Sequence, residues 1–316
     1  MRSSSSVAGV NVIRKLKEAI TFLQWRLSMG TSLKGFDLMF DELDLYRLNY
    51  ERYTGNSFSA AKTLEIGFGA QPYRLIALMS MGVDVRGIDL DMPILRFSPN
   101  SLLRIMKRNG IERALKSGVR NLLFDRRDQA RLRKALHKRG YSLNIVPERF
   151  LVGDAATYDF GPQTIDIVYS TDVFEHIPPK GLENLLKRLA NQVSPSGLLL
   201  ITPNIFTGIT GGHLVEWYMD HFDKAETNVS EPWEHLRRRR YAANTYLNCL
   251  SRADYRDLFN RHFDILEEKV FYPDLGREWL TPEVQTELSD WSEDELFSNR
   301  VLFTLRPRAA ALRQEH

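Results

Sequence analysis

One cysteine, Cys249, stands in a chain of 316 residues. A single thiol excludes an intramolecular disulfide framework and fits a reducing compartment, so a cytoplasmic setting is expected. Cys249 itself reads as a buried core residue. No run of 18 or more apolar residues occurs, which excludes an apolar membrane-spanning helix. The opening Met1-Arg2-Ser3-Ser4-Ser5-Ser6 lacks the apolar core of a secretory signal and reads as a short tail before a first helix. Internal repeats and long low-complexity tracts are missing as well.

Charge of one sign is scarce overall, with a net +3, but it is unevenly distributed. From Ser101 to Glu148 there are 13 Lys and Arg against four acids; from Asp264 to Arg300 there are 11 acids against three bases. The asymmetry marks either an anionic partner or two solvated helical faces that attract each other.

What is present alternates between strand and helix patterns. Val12, Leu16, Ile20, Leu23 and Leu27 fall at helical spacing over Asn11–Ser28, and a second helix is expected over Phe36–Tyr50. Strands follow at Lys62–Ile66, Val83–Leu90, Arg149–Val152, Ile165–Tyr169 and Leu198–Thr202, with helices at Pro72–Ser80 and Lys180–Gln192 between them. Ser251 and Asp254 approximate a capping box that opens a helix to about His262. Phe263–Phe271 and Arg300–Leu305 read as two last strands. The expected fold is α/β, a doubly wound, mostly parallel seven-stranded sheet with N-terminal helices and helical insertions. Residues 1–58 are expected as an N-terminal helical cap and 59–316 as one domain. That domain carries a basic helical insertion at about 99–148, an aromatic lid at about 203–250 and an acidic insertion at about 273–299.

The most specific stretch is Leu64-Glu65-Ile66-Gly67-Phe68-Gly69-Ala70-Gln71-Pro72, followed by Gly87-Ile88-Asp89. Two glycines let the backbone pass close to a ligand. A dinucleotide fingerprint needs a third glycine, and Gln71-Pro72 stands there instead. Glu65 lies where a diphosphate would be repelled and a cationic ligand would not. The residues therefore point to a sulfonium nucleoside rather than a dinucleotide.

With these motifs the chain resembles the class I S-adenosylmethionine-dependent methyltransferases. Leu64–Gly69 resembles that family's acid-x-Gly-x-Gly loop, and Gly87-Ile88-Asp89-Leu90 resembles its second motif. Val152-Gly153-Asp154-Ala155 resembles the third, Ile165–Pro178 the fourth strand with its loop, and Ser196–Ile201 the turn and fifth strand. The resemblance spans roughly residues 60 to 205. It implies S-adenosyl-L-methionine as cofactor, held by Glu65, Gly67, Gly69, Asp89, Asp154, Ala155, Thr171 and Asp172. Asp89 would take the ribose hydroxyls and Asp154 the adenine amino group. Asp159 and Asp166 read as structural.

Methyl transfer from a sulfonium is an in-line displacement in which the protein mainly aligns the partners. A hydroxyl acceptor is helped by a general base, and His176 after the fourth strand and His213 after the fifth are the two candidates. Each has a structural alternative: His176 as part of a widespread Glu-His-Ile/Val-Pro turn, His213 as a loop anchor. No metal is expected, because Pro203 occupies the place where an acid would join Asp172 and Asn204. The chain lacks the Asn/Asp-Pro-Pro-Tyr/Phe motif of adenine methylation and, after the fourth strand, the cysteine of cytosine-carbon methylation. A small-molecule, glycan or nucleotide-sugar acceptor is expected, at oxygen. Nucleic-acid binding through the basic insertion and Arg237-Arg238-Arg239-Arg240 is the alternative, set against a salt-bridged role for those arginines. Trp217, Tyr218, Trp233 and Tyr241 would either stack on an acceptor ring or pack a lid.

Overall fold

The computed structural model describes residues 32–95, 121–160, 164–214, 230–241 and 245–308, with isolated positions in 103–118, Trp217 and Ala243. The helix expected over Asn11–Ser28 lies outside the described residues, as does Tyr218.

Helix α1 (Lys34–Thr54) presents Phe36, Met39, Phe40, Leu43, Tyr46 and Tyr50 on one buried face and stops at Gly55, whose left-handed backbone suits a residue without a side chain. Strand β1 (Thr63–Ile66) leads into α2 (Tyr73–Ser80), and β2 (Val85–Asp89) ends where Leu90 turns out to solvent. Helix α3 (Arg126–Lys138) precedes β3 (Phe150–Val152). Strand β4 (Ile165–Thr171), helix α4 (Pro179–Gln192) and β5 (Val193–Thr202) follow. Ser194–Gly197, which lie between the helix and the strand expected from sequence, are taken into β5, because Val193 already pairs with Ile165. Helix α5 is the single turn Glu234–Arg237. Helix α6 (Arg252–Asn260) opens on the full Ser251–Asp254 capping box. Strand β6 (Phe263–Phe271), the short helices α7 (Pro282–Glu287) and α8 (Glu293–Leu296), and β7 (Arg300–Pro307) complete the chain.

The seven strands lie in the order β3-β2-β1-β4-β5-β7-β6. The first five pair in parallel, and β7 runs antiparallel to both β5 and β6. Strands buried on both faces alternate their side chains between two cores. Ile167, Tyr169, Leu198 and Leu200 join α1, α2 and α3 on one side. Val168, Leu199 and Ile201 join α4 and α6 on the other.

A third cluster gathers Ile209, Leu214, Trp217, Trp233, Val284, Leu288, Leu296 and Phe297. It fastens the aromatic segment after β5 to α7 and α8. Trp217 and Trp233 are buried there, so they pack this segment and are not available to stack on a ring.

Cys249 corrects the expectation made for it: it is exposed. Its neighbour Asn248 turns inward to donate to the Phe174 and Ile177 carbonyls, and the left-handed backbone of Cys249, with φ 60, turns the chain so that the thiol stays outside.

The charge asymmetry resolves into local pairing. Arg237 and Arg238 reach Glu287 of the acidic segment, at 2.8 and 3.4 Å. Arg240 holds the buried Glu234 at 2.6 Å. In the basic segment Arg139 pairs with Asp37 of α1 and Arg131 with Asp128. Among the described residues these pairs of the basic segment go to α1 and within α3, not to the acidic segment.

Candidate active site

The carboxyl ends of β1, β2 and β3 are laced together by short bonds. The Gly67 amide donates to the Ile88 carbonyl at 2.8 Å, and the Gly153 amide to the Asp89 carbonyl at 2.9 Å. The Asp89 carboxylate accepts from the Gly69 amide and from the Asp91 amide, each at 2.7 Å. Asp89 thus shapes the glycine turn through both carboxylate oxygens. Gly69 has φ +65 with open space where a side chain would begin. Gly67 has φ +79, and a Cβ there would meet Val173 Cγ2 at 2.3 Å. The glycine turn therefore rests directly on the segment that follows β4.

Glu65 is buried at the end of β1, and burial raises its carboxyl to about 7 despite the opposing pull of Arg74. One of its oxygens, Oε2, has no hydrogen-bond partner among the described residues. The full negative charge that sequence suggests at this point is thus partly withheld near neutrality, ready to develop when a cation arrives. A buried, unsatisfied carboxyl beside an open glycine turn fits a sulfonium nucleoside with its cationic methionine tail. Asp154 lies exposed past β3 and caps its own turn, accepting from the Ala156 amide at 2.9 Å, with Ala155 half-buried beside it.

Gln71, one residue before the Pro72 that stands in place of a third glycine, donates to Asp125 at 2.9 Å and to Asp128 at 3.4 Å. It ties the glycine turn to the start of α3.

Past β4, Thr171 and Asp172 meet a buried polar network that sequence reading does not reveal. Glu42 of α1 accepts from Arg74 at 2.7 Å, from Arg300 at 3.0 Å and from the Tyr46 hydroxyl at 2.8 Å. Tyr46 also lies 2.8 Å from Thr171 Oγ1, and Arg300 Nε lies 3.4 Å from Asp172. Burial would raise the Glu42 carboxyl, but Arg74 and Arg300 together hold it down at about 2. The available signal was the polar stripe Glu42, Tyr46, Asn49 and Tyr53 along α1, at spacings of four, three and four beside an apolar face. Its members reach Thr171, Thr304 and Glu267 across the sheet edge.

His176 and His213 come together although 37 positions separate them. Their rings meet edge to face at 5.0 Å. His176 sits in the turn after β4, its Nδ1 2.9 Å from the Tyr246 carbonyl. A carbonyl only accepts, so Nδ1 carries a proton. His213 has a left-handed backbone with φ 50, and burial followed by the neighbouring His176 lowers it to about 4. It is therefore a neutral imidazole at pH 7. Between the two lies Glu175, 3% exposed, which the sequence reading passed over as part of a common turn.

All the predicted cofactor residues lie along the carboxyl edge of β1 to β4, and both histidines lie at that same edge beyond β4 and β5. In open α/β sheets this is the edge where ligands bind.

Residues 119–201 match the family model described as a methyltransferase domain. That match takes in β3, β4 and β5 and begins after the glycine turn. No curated protein matches the chain. Among solved structures, a protein from Pyrococcus horikoshii is similar with 14% identity and TM-score 0.41, covering 82% of this chain and 85% of the other. A phosphoethanolamine N-methyltransferase 2 from Haemonchus contortus, in complex with phosphomonomethylethanolamine and S-adenosylhomocysteine, is similar at 20% identity and TM-score 0.39. It covers 84% of this chain, which spans 52% of the nematode protein. A geranyl diphosphate C-methyltransferase from Streptomyces coelicolor is similar at 12% identity and TM-score 0.41, covering 84% of this chain and 78% of the other. Residues 119–201 thus match a methyltransferase domain, and the sheet order and the placement of the motif acids and glycines at its carboxyl edge agree with the resemblance to the class I S-adenosylmethionine-dependent methyltransferases.

Proposed function

We propose that the enzyme transfers the methyl group to a hydroxyl of a small-molecule, glycan or nucleotide-sugar acceptor. The observation that carries this reading is the meeting of His176 and His213 at the carboxyl edge, on a segment that packs against the glycine turn through Val173. Two imidazoles at that edge suit an acceptor that must lose a proton as it is methylated. Glu65, Gly67, Gly69, Asp89, Asp154, Ala155, Thr171 and Asp172 would hold S-adenosylmethionine, whose sulfonium supplies an activated methyl. The oxygen attacks the methyl carbon in line with the departing sulfur, so orientation supplies most of the rate.

The pairing of Arg237, Arg238 and Arg240 with Glu231, Glu234 and Glu287 argues against a phosphate-binding role for that run and so against a nucleic-acid acceptor. Among the described residues no helix is long and apolar enough to cross a membrane. A cytoplasmic setting suits the exposed Cys249, which a reducing compartment keeps as a thiol.

Calorimetric titration with S-adenosylmethionine tests the cofactor reading; a folded protein that fails to bind it sinks the proposal. Transfer of labelled methyl to a panel of phenols, sugars, nucleotide-sugars, amines and RNA tests the acceptor. Product formed only on amines or on RNA would overturn the hydroxyl assignment.

A further inference from the structure

Glu175, His176 and His213 each present a ligand atom, and these atoms all lie within 4.8 Å of one another. Glu175 is the informative member. It is buried, and neither of its carboxylate oxygens has a hydrogen-bond partner among the described residues. A buried carboxylate left in this state is costly unless a positive charge meets it. Arg300, a guanidinium at the same edge of the sheet, is already committed to Glu42 at 3.0 Å and Asp172 at 3.4 Å.

We propose that Glu175, His176 and His213 bind a divalent transition-metal ion of the zinc or manganese class, which takes the acceptor hydroxyl as a further ligand. This inference rests on the hydroxyl-acceptor reading above for its role, but the site itself rests on the three side chains.

The geometry suits it. Imidazole nitrogen and carboxylate oxygen bind such ions at about 2.0–2.2 Å, which separates neighbouring ligand atoms by about 3.4 Å at tetrahedral angles. His213 Nε2 and Glu175 Oε1 stand 3.9 Å apart, a gap closed by a small side-chain rotation. The surroundings are those of a metal site. His176 donates its Nδ1–H to the Tyr246 carbonyl, which orients the ring and leaves Nε2 as its ligand atom, as outer partners of metal-bound histidines do. Asn248 locks the turn that carries Glu175 and His176: its side chain donates to the carbonyls of Phe174 and Ile177, and its amide donates to the Glu175 carbonyl at 2.8 Å. His213 is held in its left-handed conformation by its amide bond to Thr210, whose own amide donates to Asn299.

Two histidines and one carboxylate leave coordination positions open. A hydroxyl bound in one of them becomes more acidic. With both imidazoles committed to the ion, the ion takes over their part in deprotonation: the hydroxyl proton passes to solvent water, and the oxygen forms the new O–C bond as the C–S bond breaks. S-adenosylhomocysteine then leaves as a neutral thioether. The expectation of no metal was argued from Pro203 beside Asp172 and Asn204, and the cluster uses none of these three.

The test uses the full chain, stripped with a chelator and titrated with cobalt(II) as a spectroscopic probe and with zinc(II) by calorimetry. One saturable ion per chain is expected, with a ligand-field spectrum of nitrogen and oxygen donors. Glu175→Gln and, separately, His213→Gln should weaken binding at least tenfold while leaving S-adenosylmethionine affinity within twofold. His176→Gln, at the half-exposed rim, gives the same readout should the buried variants fail to fold. No saturable binding of either ion, or equal binding by folded variants, overturns the site. S-adenosylmethionine binding by the stripped protein is measured in parallel, so failure of the cofactor reading is seen separately from failure of the metal site.

Discussion

Glu42 on the first described helix and Arg300 at the start of the last strand are joined at 3.0 Å across 258 positions of sequence. The bond closes the carboxyl edge of the sheet. Arg74 holds the other Glu42 oxygen at 2.7 Å, so one carboxylate fixes α1, α2 and β7 against the end of β4. The cofactor-side residue Thr171 and the half-exposed Asp172 both lean on this network.

The Glu42 carboxyl is held at about 2, below its ordinary 4.5, so its ionised form stabilises the fold. The sign follows from linkage: the contribution is complete above about pH 4.5 and is lost as the pH falls from there through 2. Its size is about 3 kcal/mol. Glu42→Gln is expected to lower stability by that order at pH 7 and to flatten the acid side of the stability profile. Denaturant melts of both proteins between pH 2 and 7 check this; parallel acid profiles would contradict it.

Gly67 carries a prediction about coupling. With φ +79 and Val173 Cγ2 2.3 Å from an added Cβ, Gly67→Ala meets both backbone strain and a clash. The expected cost is about 2–4 kcal/mol, with weaker cofactor binding because the segment after β4 is displaced. Val173→Ala should relieve the clash, so the double variant should be more stable than the two single losses predict. A double-mutant cycle on thermal stability measures the coupling, and strict additivity would show that Val173 is not the obstacle.

Asp89 has two roles that separate by experiment. It accepts the Gly69 and Asp91 amides, and its proposed second role is to take the cofactor's ribose hydroxyls. Asp89→Ala is expected to weaken S-adenosylmethionine binding at least tenfold. Asp89→Asn keeps one carbonyl acceptor for the turn but loses charge and a second acceptor, and should fall between. An affinity unchanged in Asp89→Ala removes Asp89 from the cofactor site.

The parts of this molecule that are legible in sequence are those whose causes are local. The acid and two glycines after β1 declare themselves because a turn that passes close to a ligand needs those residue types within six positions. The Ser251–Asp254 cap and the strand–helix alternation are local in the same sense. The Glu42–Arg300 bond has no such signature, since it depends on which end of the sheet α1 crosses. His176 and His213 were each singled out, but their meeting depends on how the chain after β5 folds back. Glu175 was hidden by its place in a common turn, although an acid between Phe174 and His176 at a buried strand end was a signal. Cys249 misled because hydrophobic character suggests burial, whereas its orientation is set by its left-handed backbone beside the inward-turned Asn248.

Glu65 supplies a test of the opening motif by pH. Burial raises its carboxyl to about 7, above the ordinary 4.5. The linkage sign is opposite to that of Glu42: the protonated form is the one the folded apoprotein favours, so stability declines as the pH rises from about 4.5 through 7. A cationic cofactor favours the ionised form. Binding of S-adenosylmethionine must therefore take a proton from Glu65 below pH 7, and its affinity should rise about tenfold per pH unit there and level off above it. Glu65→Gln removes the titrating group. It should lose most of this pH dependence, bind more weakly at pH 8, and leave the apoprotein at least as stable as the parent at that pH. Calorimetric titrations at pH 6, 7 and 8 in buffers of different ionisation enthalpy report both affinity and proton release. A flat affinity profile in the parent protein would mean that Glu65 keeps its proton when the cofactor binds, and that the acid before the glycines does not answer the sulfonium charge.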